Sequence, residues 1–234
     1  MKRGKWCGIM EIVVEHYTKI IKGITILDDV NLSLHSGVCY GLQGRNGSGK
    51  TMLMRAVCGL IRPTKGWVKI DGKRIGKDIS FPQSVGVLIE NPSFLPYYTG
   101  KRNLQLLAAI QGHITDKEIG ETLTSVGLDP EDKRKYRKYS LGMKQKLGIA
   151  AAFMEQPELI ILDEPINAID ADGVVLVKEM IRQAKSRGAI LIVACHDKEE
   201  LEELSDEVIH ISGGRAVQKG EVSPQGTGDE KWAI

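Results

Sequence analysis

Residues Gly44 to Thr51 read Gly-Arg-Asn-Gly-Ser-Gly-Lys-Thr and fill every specified position of the pattern G-x-x-x-x-G-K-[ST]. Gly44, Gly47 and Gly49 let backbone N–H groups turn inward around phosphate oxygens, with Arg45, Asn46 and Ser48 completing the loop. Lys50 supplies a compact positive charge for β- and γ-phosphates, and the Thr51 hydroxyl can ligate the Mg²⁺ that accompanies a nucleotide. Met52 closes the candidate nucleotide-binding segment. A second chemical signal is Leu159-Ile160-Ile161-Leu162-Asp163-Glu164, four apolar residues ending in two acids. A buried strand that delivers both acids at its carboxyl end sets them beside a phosphate loop in an α/β core. Asp163 then suits Mg²⁺, often through water, and Glu164 is placed to orient or deprotonate an attacking water.

The flanks supply the elements this chemistry needs. Val38 to Leu42 reads as a buried strand before the loop, and Met52, Leu53, Met54, Val57, Cys58, Leu60 and Ile61 form an apolar helical face after it. A helix there aims its positive end at the phosphates. Residues 9–40 are β-rich, Trp67 to Ile70 runs into an Asp71-Gly72 turn, and Val85 to Ile89 is a further buried strand. From about 100 to 155 the period becomes helical, with Thr115-Asp116-Lys117-Glu118 as a capping box, Gly127 as a stop and Ser140 opening a long helix. Strand-like runs return at 159–162, 189–194 and 207–211, separated by helices over about 173–187 and 198–204. Strands alternating with helices predict a parallel α/β core, with the helical block inserted between two of its strands. Residues 221–234 read as a loose polar tail.

The chain has 234 residues, 42% of them hydrophobic, and a formal net charge of +2, so bulk charge argues neither for nor against nucleic acid. It has no run of about 18 apolar residues to span a membrane. Lys2, Arg3 and Lys5 are basic, but Glu11 and Glu15 break the following apolar stretch, which argues against a signal peptide. Cys7, Cys39, Cys58 and Cys195 are scattered without a C-x-x-C pair and read as thiols in a reducing compartment.

Tyr139-Ser140-Leu141-Gly142-Met143-Lys144-Gln145 lies between the phosphate loop and the acidic strand, at the end of the helical insert. It resembles the signature motif of ATP-binding cassette (ABC) proteins, commonly Leu-Ser-Gly-Gly-Gln, with Leu141 in place of the first Gly and Met143 in place of Gln. The resemblance covers nearly the whole chain and implies an α/β P-loop ATPase fold: one nucleotide-binding domain over 1–234. Within it, about 1–92 and 156–220 would form the ATP-binding core with an antiparallel β-subdomain, and about 93–155 a helical subdomain. Ser140 can cap a helix whose N-terminus binds an anion. In this family the anion is the γ-phosphate held by a second protomer, so Ser140 and Gly142 are expected to complete the partner's ATP site.

Other positions take their roles from the same resemblance. Tyr17 falls about where an aromatic ring stacks on adenine. Asn167-Ala168-Ile169-Asp170 resembles the D-loop, with Asp170 at the dimer interface, and His196 resembles the switch histidine that bonds the γ-phosphate and positions water. Most members place a Gln after the strand at 85–89, reaching Mg²⁺ and water. Here that position is Glu90, which accepts hydrogen bonds but cannot donate them when ionised. Ile89 to Phe94, with Leu141 and Met143, is similar to bacterial exporters of the bacitracin and lantibiotic self-protection type. The basic run Lys133, Arg134, Lys135, Arg137 and Lys138 reads as a solvated helical face rather than a nucleic-acid patch.

The resemblance implies an ATP-hydrolysing subunit with Mg²⁺ as cofactor, cytoplasmic and peripheral on the membrane. Its expected partners are ATP, a separately encoded transmembrane permease and a second identical or similar ATPase subunit, with no nucleic acid. A soluble ABC ATPase acting on ribosomes or DNA is the alternative, although neither a second ATPase domain with a charged linker nor long heptads is present. A P-loop kinase or GTPase would lack the Ser140 motif and the His196 switch.

Overall fold

A computed structural model describes residues 10–218. The proposed tail at 221–234 and Cys7 lie outside them. Two sheets organise the chain. β1 (Glu11–Ile21), β2 (Ile24–His35), β4 (Lys65–Ile70) and β5 (Lys73–Arg74) form an antiparallel sheet in the order β2-β1-β4-β5. The second sheet has six strands in the order β10-β9-β3-β8-β7-β6. They are β3 (Cys39–Gln43), β6 (Val85–Leu88), β7 (Leu159–Asp163), β8 (Ile190–Ala194), β9 (Glu207–Ser212) and β10 (Arg215–Gln218). All neighbours in it pair in parallel except β10, which folds back on β9.

The central strands are buried on both faces, which is why they read as unbroken apolar runs rather than alternating ones. Ile160, Leu162, Leu191 and Val193 face a core shared with the helices α2 (Gly100–Gln111), α3 (Asp116–Ser125), α4 (Leu141–Phe153) and α5 (Ala171–Ser186). Leu159, Ile161, Ile190 and Ile192 face the other core, with α1 (Lys50–Val57) and the antiparallel sheet. The period of two along each strand thus divides one sheet between two hydrophobic layers.

Local signals set the helix ends. Thr115 accepts from the Glu118 amide while Glu118 bonds back to the Thr115 amide, a full capping box at the start of α3. Each such cap contributes about 1 kcal/mol. Asp71 and Gly72, both at positive φ, close the β4–β5 hairpin. The basic run near 135 departs from expectation. Only Tyr136–Lys138 forms a short 3₁₀ turn, because the Tyr136 and Arg137 amides donate to the carbonyls of Tyr98 and Pro96 instead of to a helix of their own.

The parallel register fixes where chemistry can occur. Leu42 pairs with Ala194, Asp163 with Ala194, and Leu162 with Leu88. The chain therefore leaves β3, β8, β7 and β6 at nearly one level, delivering Gly44, His196, Glu164 and Glu90 to the same carboxyl edge of the sheet.

Candidate nucleotide site

The Gly44–Thr51 loop joins β3 to α1 and is closed by its own backbone. A Cβ on Gly44 would stand 2.3 Å from the Ile211 carbonyl oxygen and 2.6 Å from Ser48 Oγ, so only glycine fits there. Gly49, at φ 114°, is the left-handed residue from which α1 starts. The turn between β9 and β10 seals the loop from behind, with the Gly214 amide donating to the Ser48 carbonyl at 3.1 Å.

Lys50 is buried and curls over the loop, donating to the Gly44 carbonyl at 2.6 Å and the Arg45 carbonyl at 3.3 Å. Its ammonium is held by carbonyl oxygens and forms no ion pair with a carboxylate among the described residues. Ser48 Oγ is buried with no hydrogen-bond partner in the protein, an orphan that an anion in the cradle would satisfy. Arg45, Asn46 and Gly47 are exposed at the loop's crest, and Met52 is half-buried on α1.

Asp163 ends β7 and is buried; its Oδ2 accepts the Thr51 hydroxyl at 2.8 Å. A carboxylate and a hydroxyl so joined are hard oxygen donors of the kind a Mg²⁺ beside a triphosphate takes, with phosphate and water filling the other positions. No cluster of three or more His, Cys, Asp or Glu occurs among the described residues, so an ion here would depend on the nucleotide's own oxygens. The loop, the orphaned Ser48 hydroxyl and the Thr51–Asp163 pair fit Mg²⁺ with ATP.

Glu164 follows at φ 52°, its amide bonded to the Ala194 carbonyl at 2.9 Å. This left-handed turn swings its carboxylate toward the end of β8. There the carboxylate accepts the His196 amide at 3.1 Å and meets His196 Nε2 at 3.5 Å. Burial pushes the Glu164 carboxyl above the ordinary carboxylate value, and His196 pulls it partly back. A cleft of about 480 Å³ opens between the loop crest and His196, lined also by Gln43, Gly44 and Lys198.

Ser140 caps α4 by accepting the Met143 amide at 3.2 Å. Gly142 lies so close to the Ala168 carbonyl that a Cβ would come within 2.6 Å of it. Ser140 and Gly142 thus stand beside the turn that leads to Asp170 rather than at their own chain's phosphate loop. Asp170 caps α5 through the Gly173 amide and pairs with Lys146 at 2.7 Å, which holds its carboxyl below the usual range.

One expectation is corrected. Tyr17 is 1% exposed, packs in the core beside α1 and donates its hydroxyl to the Ile61 carbonyl at 3.2 Å. Burial pushes that phenol up to about 12. It lines a cavity of about 340 Å³ with Leu60, Ile61, Ile75 and Phe81, none of them in the phosphate loop. Its ring is not available to an adenine. The cause is an irregularity in β1 between Val14 and Tyr17, which turns Tyr17 inward with Val14. Glu90, the third candidate Mg²⁺ ligand with Thr51 and Asp163, accepts Arg55 Nη2 at its Oε1 at 2.6 Å.

Three site residues escaped the sequence. Gln145 is buried and donates to the Glu164 carbonyl at 2.7 Å and the Pro165 carbonyl at 3.3 Å, tying α4 to the turn that carries Glu164. Its sequence signal was a polar residue on the apolar face of the helix that Ser140 opens. Lys146 and Arg55 gave no signal, since a basic residue on a helix surface is unremarkable until its partner is known.

The family model described as ABC transporter matches residues 27–167. The uncharacterized ABC transporter ATP-binding protein YybJ of Bacillus subtilis (strain 168) is 46% identical over 204 residues, 87% of this chain and 94% of that protein. The bacitracin transport ATP-binding protein BcrA of Enterococcus faecalis is 37% identical over 219 residues, 92% of this chain and 71% of that one. A solved ATP-binding subunit of an ABC transporter superposes with a TM-score of 0.79 at 26% identity, covering 88% of this chain and 87% of that one. With its phosphate loop, acidic strand end and Ser140 helix set on that fold, the chain belongs to the ABC transporter family, as an ATP-binding and ATP-hydrolysing subunit.

Proposed function

We propose that each chain holds one ATP on its own Gly44–Thr51 loop and, through Ser140 and Gly142, completes the site of a second ATPase chain. The observation that carries this reading is the meeting of three strand ends: the loop after β3, the Thr51–Asp163 pair after β7 and the Glu164–His196 pair after β8. Lys50 and the loop amides bind the β- and γ-phosphates and oppose their charge. Thr51 and Asp163 would hold Mg²⁺, which supplies further charge withdrawal from those oxygens. Glu164 accepts the proton of the attacking water as a bond forms from its oxygen to the γ-phosphorus and the bond to the ADP oxygen breaks. His196 orients Glu164 and the γ-phosphate. Gln145 holds the Glu164 backbone in place. Adenine would lie against the exposed end of the β1–β2 hairpin, where Ile20, Ile21 and Ile24 are 39%, 40% and 66% exposed.

The finer partner readings follow from the surface. No helix among the described residues is long and apolar enough to cross a membrane. The proposed permease is a separate chain, and this subunit would sit on the cytoplasmic side of the membrane against it. Tyr97 is 68% exposed, carries Arg137 at 5.1 Å over its ring, and is flanked in sequence by exposed Leu95 and Tyr98. This mixed aromatic and basic face suits a protein partner. We assign about 93–155 to a helical subdomain and the rest to the core and β-subdomain. Likeness to a bacitracin transport protein makes export of a peptide antibiotic the proposed task. The test is Glu164→Gln: ATP binding should persist and turnover vanish, and near-normal hydrolysis would remove Glu164 from its role.

A further inference from the structure

Glu90 is the residue at which this chain departs most from its resemblance, and its surroundings show how a carboxylate is accommodated there. It follows β6 at φ 61°, a left-handed turn that a Glu adopts at a cost. Asn91 and Pro92 come next. Pro92 is fixed to the helical segment: its carbonyl accepts the Tyr136 hydroxyl at 2.5 Å, and a Cβ on Gly148 of α4 would come within 2.9 Å of it. The other end of this short segment is fixed to α1, through the Arg55–Glu90 ion pair at 2.6 Å. Arg55 stands four residues after Thr51 on α1, so the two project from neighbouring turns of one helix face. The Glu90 carboxylate is thereby tied to the same helix that carries the Thr51 hydroxyl paired with Asp163. Arg55 makes no other ion pair among the described residues.

We propose that Arg55 is the positioning residue for Glu90: it holds the carboxylate on the flank of α1 and balances its charge in the nucleotide-free chain. A Glu at this place then adds no net negative charge beside the phosphates, and the joint between α1 and the helical segment gains a latch that an amide would not form as firmly. The functional setting rests on the nucleotide-site reading above, but the latch itself needs no nucleotide.

Hydrogen–deuterium exchange over residues 85–92 of the nucleotide-free full chain, whose strand amides are bonded to the neighbouring strand, tests it. Arg55→Met should speed exchange about threefold to fivefold, the upper part of the range for one partly exposed ion pair. Glu90→Gln should do the same, the double variant should be no faster than either, and Arg55→Lys should stay within about twofold of the parent. Unchanged exchange in Arg55→Met, or single effects that multiply in the double variant, overturns the proposal. Should Arg55→Met not fold, Glu90→Gln carries the test alone, and unchanged exchange in it is equally fatal. A kinetic cycle gives the second readout. Arg55→Met should change kcat severalfold when residue 90 is Glu and by less than about twofold in the Glu90→Gln background; equal changes in both contradict it. Because the exchange readout uses no ATP, active Glu164→Gln would sink the hydrolysis assignment while leaving the latch standing.

Discussion

The phosphate-loop half and the signature half of this molecule are built in opposite ways. In the first, Lys50, Asp163 and Glu164 are drawn inward, each bonded to a group of its own chain at the carboxyl edge of one sheet. In the second, Ser140 is exposed at the tip of α4, and Leu141 beside it is 63% exposed. One half is closed on itself; the other is offered outward. Gln145 and the Lys146–Asp170 pair tie the helix that Ser140 opens to the segment that follows Glu164.

Substitutions can break this contrast in graded steps. The largest effect belongs to the inward half: Glu164→Gln should lower turnover by about 10²–10⁴-fold, the range for losing a general base, while ATP still binds. Steady-state phosphate release beside nucleotide titration separates the two. Next comes Gly142→Ala, whose added Cβ would crowd the Ala168 carbonyl. Turnover should fall about tenfold, ~1.4 kcal/mol, with ATP affinity of the isolated chain unchanged. A matching loss of affinity would mean that Gly142 serves its own loop. Glu90→Gln should keep ATP binding and alter hydrolysis or its coupling to transport, read as ATPase rate with and without the permease. No change in either would leave Glu90 without a special role. The smallest effect is expected from Tyr17→Phe, which deletes one hydrogen bond to Ile61. Stability should drop about 1 kcal/mol in a denaturant melt with ATP affinity untouched, whereas Ile21→Asp on the exposed hairpin should weaken ATP.

These expectations also mark how far the sequence could be read. The loop, the Asp163-Glu164 strand end and the Thr115 capping box were legible because each is a local pattern with a local physical cause. The carboxyl-edge arrangement followed from strand–helix alternation. Tyr17 was misread because an irregularity in β1 reverses which residues face inward, and period-two reasoning carries no sign of it. Arg55 and Gln145 stayed hidden because their partners lie 35 and 19 residues away, a spacing set by the packing of α1 and α4 and by nothing in the local pattern. The densely charged run near 135 looked helical, yet its backbone bonds went to Pro96 and Tyr98 across the chain.

The central claim is that two unlike halves, from two chains, make one site. Sedimentation of Glu164→Gln with and without ATP tests it most directly, alongside a Glu164→Gln/Ser140→Arg double variant. The first should form a dimer only with ATP, and the second should stay a monomer that still binds ATP. An ATP-independent dimer, or an ATP-held dimer that survives Ser140→Arg, would contradict it.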